Sequence, residues 1–135
     1  MKKELIRGFT LIELIMVTII LGILAAVSIP RYMSTVEKAE KTSEDAVISA
    51  IISGLEIYAT EKLIDSGRRY WPSNPFDALA KKPFGFDTNN NGNADSDNEW
   101  TFNTSTKRIT HMRQDGSKYY WPYDAGNNAQ SSGSN

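Results

Sequence analysis

The 135 residues contain no cysteine, which excludes disulfides, thiolate-held zinc and thiol catalysis together. Histidine is nearly as scarce. His111 stands alone, so no histidine pair exists for zinc and no Ser-His-Asp arrangement has support from spacing. Neither sign of charge dominates: 15 Lys and Arg against 16 Asp and Glu give a net charge of -1, interspersed along the chain. There is no basic block of the kind that nucleic-acid binding calls for. Arg68-Arg69, Lys81-Lys82 and Lys107-Arg108 read as solvated pairs, leaving at most a weak basic patch. No phosphate loop is visible. Nothing in the sequence predicts an enzyme.

Charge is scarcest between Phe9 and Ile29. Lys2, Lys3, Glu4 and Arg7 precede that run, and Thr10, Glu13, Thr18, Gly22 and Ser28 are its interruptions. As a helix it spans ~30 Å, the thickness of a bilayer's hydrocarbon core. A cleaved secretory signal has a shorter apolar region, so the run predicts a retained membrane helix. Arg31, Lys38 and Lys41 nearly balance the leading cations, and the short leader favours an N-terminus left in the cytoplasm. Glu13 is the single charge in the run. A carboxylate there costs about 2.5–3.5 kcal/mol at a helix centre and less near an interface. Either it snorkels to the interface or it meets a partner in an assembly. Pro30 is expected to kink the helix or start a new segment.

Beyond Arg31 the pattern turns amphipathic. Val47, Ile51, Gly54 and Tyr58 form one stripe and Ile48, Ile52, Leu55 and Ala59 the next, a wide apolar face at helical spacing. Glu37, Lys38, Glu40, Lys41, Glu44 and Asp45 read as a solvated stretch. Helix-forming residues reach Ile64, with Asp65-Ser66-Gly67 as the stop. Asn74-Pro75 predicts a short helix from Pro75 to Lys81. Trp100-Thr101-Phe102, Lys107 to Met112 and Lys118 to Tyr123 read as three antiparallel strands, with Asp115-Gly116 as a tight turn. Trp100, Phe102, Ile109, Tyr119 and Trp121 are the side chains expected to cover the helix. The fold class is α+β: a long helix, half membrane and half amphipathic, packed on a small antiparallel sheet.

One loop has ligand chemistry. Oxygen-bearing side chains fall at alternate positions Asp87, Asn89 and Asn91, with Asn93, Asp95 and Asp97 beyond and Gly92 at the turn. This spacing follows the first half of an EF-hand calcium loop. The pattern departs at its twelfth position, Asn98, the acid being Glu99. Calcium and an unliganded polar loop both stay open. A small domain without disulfides has use for such a staple.

Gly8-Phe9-Thr10-Leu11-Ile12-Glu13-Leu14 resembles the processing site of type IV pilins and of type II secretion pseudopilins. The resemblance is strong over residues 1–60 and looser beyond. It implies cleavage by a prepilin peptidase between Gly8 and Phe9, methylation of Phe9, and pairing of Glu13 with the Phe9 amine of a neighbouring subunit. On that reading the uncut leader leaves Glu13 without its partner. Gly22 and Pro30 match the family's helix hinge, between which helicity can be lost in filaments. The implied divisions are a leader 1–8, a transmembrane or filament-core helix 9–29, an amphipathic helix 30–66, a pilin-like head 67–123 and a disordered tail 124–135. The implied partners are the peptidase, an inner-membrane assembly platform, membrane lipid, and copies or related pilins in a filament. The implied location is the inner membrane first and an extracytoplasmic filament afterwards. The competing expectation is a membrane-anchored, calcium-dependent ligand-binding module that does not polymerise.

Overall fold

A computed structural model describes residues 7–89, 91–125 and 129–130. Most of the expected leader, residues 1–6, lies outside the described residues. The chain divides into two compact units, residues 1–39 and 40–135. Helix α1, Leu11–Ser66, contributes to both.

In the first unit α1 starts one residue after Thr10, where a Thr-x-x-Glu capping box closes the helix end. The Thr10 N–H donates to Glu13 Oε2 and the Glu13 N–H to Thr10 Oγ1, each at 3.3 Å. The apolar side chains that follow, from Leu11 to Ile29, are all exposed. This part of α1 is long and apolar enough to cross a membrane, by length and composition. The helix runs through Gly22 and Pro30 without interruption.

In the second unit α1 ends on Gly67, which takes a φ of +72° and donates its N–H to the Leu63 carbonyl at 2.9 Å. Three strands pair antiparallel in chain order: β1 Trp100–Asn103, β2 Arg108–Met112 and β3 Lys118–Asp124. Trp100 sits opposite His111, Phe102 opposite Ile109, and Ile109 in turn opposite Trp121. One face of the sheet therefore carries Trp100, Phe102, Ile109, Trp121 and Tyr123. These pack with Phe76 and with Ile48, Ile51 and Leu55 of α1 into a single core. Burying each such side chain contributes about 1.5–3 kcal/mol.

The apolar stripe on α1 is narrower than its sequence suggests. Ile48, Ile51, Leu55 and Ala59 are buried, Val47, Gly54 and Tyr58 are half-buried, and Ile52 is exposed at the stripe's edge. Gly54 brings the connector close: a Cβ there would lie 2.7 Å from the Ala78 carbonyl oxygen. The expected helix over 75–81 is a single 3-10 turn, Pro75–Ala78, with Asn74 accepting from the Phe76 N–H at 3.0 Å. It stops early because Leu79 turns to extended backbone and packs against the core.

The expected tail also differs. β3 runs to Asp124, and Ala129–Gln130 forms a short strand β4 paired with Tyr123 and Asp124 along the free edge of β3. The rest of that stretch, 126–128 and 131–135, lies outside the described residues.

Candidate functional site

The N-terminal segment combines exposure with fixed geometry. Phe9 is 91% exposed, and Gly8, Thr10 and Glu13 are exposed beside it. The capping box gives Glu13 a partner inside its own chain, one distinct from the Phe9 amine of a neighbouring subunit. That partner is a backbone N–H and brings no formal charge to the head of the apolar helix. Its second oxygen, Oε1, has capacity for another donor. Thr10-x-x-Glu13 is a cap signature that the sequence itself carries, separate from the motif that makes Glu13 a charge in an apolar run.

A second constellation lies in the 40–135 unit, where sequence spacing pointed to solvent. Glu44, expected in a solvated stretch, is 2% exposed. It falls one turn before Ile48 on the buried stripe, and the sheet brings two cationic-type side chains to it. Arg113 Nε donates to Glu44 Oε1 at 2.8 Å and Arg113 Nη2 to Oε2 at 2.7 Å. His111 Nδ1 lies 2.8 Å from Oε1. Burial by itself pushes the Glu44 carboxyl up, but the hydrogen bonds from Arg113 and His111 and their charges outweigh it, and the group is held below its ordinary value. The Arg113 guanidinium is raised, first by its hydrogen bond to Glu44. Trp100 stacks on His111 at 4.3 Å between centroids, and Arg113 lies 3.8 Å over the Tyr119 ring. This network is a polar staple between α1 and the sheet.

The loop from Asp87 to Glu99 closes on itself. Asp87 is buried; its Oδ1 accepts from the Asn89 N–H at 2.7 Å and its Oδ2 from the Asn91 N–H at 3.1 Å. Asn91 Oδ1 accepts from the Asn93 N–H at 2.7 Å, and Asn91 Nδ2 reaches Asp95 Oδ2 at 3.4 Å. Glu99, also buried, takes the Asp95 and Ser96 N–H groups on Oε2 at 2.6 and 2.8 Å. Asp97 is exposed. Among the described residues no three acidic or histidine side chains converge as a metal site. Asp87, Asn91 and Asp95 come together; Asn89 and Asn93 enter through their backbone.

Residues 6–29 match the family model described as the prokaryotic N-terminal methylation motif. The match covers Gly8, Phe9 and the capped Glu13 in one stretch. The chain carries the N-terminal methylation motif and is similar to members of the type IV pilin and pseudopilin family.

The proteins it is similar to include members of both branches. It is 37% identical over 97 residues to type II secretion system core protein G of Pseudomonas aeruginosa, covering 70% of this chain and 64% of that protein. It is 39% identical over 77 residues to the protein of the same name from Dickeya chrysanthemi, covering 57% and 48%. It is 41% identical over 51 residues to the type IV narrow pilus major component PilA5 of Thermus thermophilus, covering 38% and 44%. The chain thus spans between about half and two thirds of the length of these two core protein G relatives. No solved structure matches it. The pilin-like fold expected from the residues agrees with the long helix and antiparallel sheet.

Proposed function

We propose that this chain is a structural subunit of a type IV pilus or type II secretion pseudopilus, not an enzyme. The observation that carries this reading is the pairing of an exposed Glu13 with the methylation motif, at the head of an exposed apolar helix. A prepilin peptidase cuts between Gly8 and Phe9 and the new Phe9 amine is methylated. The amine is cationic and the capped Glu13 of a neighbour supplies the opposite charge, so both are neutralised where lipid or other helices exclude water. Packing of Leu11 to Ile29 among copies then replaces contact with lipid. The stretch from Gly22 to Pro30 is where α1 yields when copies pack, since proline removes a backbone donor and glycine weakens a helix. An inner-membrane platform inserts the subunits, and related pilins share the filament. The chain begins as a single-pass membrane precursor and ends in an extracytoplasmic filament.

Replacing Glu13 with Ala tests this. Incorporation into filaments is lost while the protein stays in the membrane; normal incorporation contradicts the pairing.

The second reading concerns calcium. Asp87, Asp95, Asp97 and Glu99 lie in a stretch from residue 83 to 106 without Lys, Arg or His, and two of the four are buried. Buried carboxylates without a cation favour an ion of opposite charge. Asp87, Asn91 and Asp95 would hold it, which requires Asp87 to release backbone N–H groups it now accepts from. Millimolar calcium raises the melting temperature of the full-length chain if the loop binds it; no shift removes the site.

A further inference from the structure

Phe84 is 90% exposed, more than any other large apolar side chain described between residues 40 and 125. Its exposure is built in. The Phe86 N–H donates to the Pro83 carbonyl at 3.2 Å, and Gly85 takes a φ of +79°, the pattern of a type II turn with Phe84 at its first corner. The Gly85 carbonyl then accepts from the Trp100 N–H at 2.9 Å. A Cβ on Gly85 would lie 2.0 Å from the Asn98 carbonyl oxygen, so the turn has no room for another residue. A ring held out on a fixed backbone is pre-organised as an anchor.

The same unit carries a place for it. A groove of about 550 Å³ lies between α1 and Asp77–Ala80, with Ala50, Gly54, Ile57 and Leu79 as its apolar lining. Its rim is acidic, through Glu61 and Asp77, whereas the turn is preceded by Lys81 and Lys82. Lys82 is already bonded to Asp77 at 3.2 Å, and Lys81 and Glu61 are exposed. Phe84 cannot fill its own groove, because it sits beside Glu40, Ser43 and Val47. The centres of the two places are about twelve residues apart on α1, or ~18 Å.

We infer that Phe84 of one copy seats in the α1 groove of the next, with Lys81 facing Glu61. The inference rests on the assembly reading above. Copies inserted by the same N-terminal helix point the same way, so a knob and a groove offset along the helix meet by translation. Such a contact is heterologous and repeats without closing, which produces a filament and not a ring or a dimer.

The chain has no cysteine of its own, which makes crosslinking a clean test. Full-length protein carrying both Phe84→Cys and Ile57→Cys, assembled in cells and oxidised, should give a ladder of dimers, trimers and higher species on non-reducing gels. Ile57→Cys alone should stay monomeric. Filaments visible by microscopy without a ladder overturn the contact and leave assembly standing. A dimer from Phe84→Cys alone indicates ring-to-ring contact and overturns it too. A wild-type chain that forms no filament overturns both this contact and the assembly reading.

Discussion

Arg113 grips both oxygens of Glu44, at 2.8 and 2.7 Å, and the two residues are 3% and 2% exposed. One belongs to the end of the β2–β3 hairpin and the other to α1, 69 residues apart in the chain. In a protein without disulfides this bidentate pair fixes the sheet on the helix at one end. Tyr123 ties the sheet to the connector that follows α1, its hydroxyl donating to the Pro72 carbonyl at 2.6 Å. Burial pushes the Tyr123 hydroxyl up to about 12, so it stays a donor across the working range of pH.

Removing Arg113 leaves Glu44 charged and buried with only His111 beside it. Arg113→Met should therefore lower stability by about 3–5 kcal/mol. Urea denaturation of the full-length chain, followed by tryptophan fluorescence from the core, measures this. A loss under ~1 kcal/mol would place the pair among weak surface contacts.

The same pair predicts an acid limit. Glu44 in the folded chain titrates below its ordinary value of 4.5. A depressed carboxylate contributes stability that is present above the unfolded value and is lost as pH falls through the folded one. The urea midpoint should fall as pH drops below about 4.5, and fall less steeply in Glu44→Gln. Equal slopes in both would assign the acid sensitivity to other groups.

Gly85 supports the turn that presents Phe84. Alanine there meets both an unfavourable φ and the Asn98 carbonyl, so Gly85→Ala should cost more than about 1 kcal/mol. Gly116→Ala, with φ of +80° but nothing within 4 Å, isolates the cost of the backbone angle alone. Comparing their melting temperatures checks this, with Gly85→Ala the lower of the two.

Much of this architecture was legible because periodicity reports it directly. The apolar run, the stripe through Ile48, Ile51, Leu55 and Ala59, and the alternation at Trp100-Thr101-Phe102 each carry their structure locally. Glu44 was not legible. Its neighbours are charged and exposed, and its burial is decided by Arg113 and His111, which only the sheet register brings near. Ile52 failed for a related reason, since a wide apolar stripe does not say where the covering sheet ends. The short turn at Pro75–Ala78 depends on Gly54 and Leu79, contacts made across the fold. Phe84 gave no periodic signal, lying between proline and glycine in a connector.

On the proposed function this chain is cut, methylated and built into a filament through its N-terminus. Mass spectrometry of filaments sheared or extracted from cells tests it most directly. The expected N-terminal peptide begins at Phe9 and carries a methyl group on its amine. Filaments that lack the chain, or a chain in them that still begins at Met1, would contradict it.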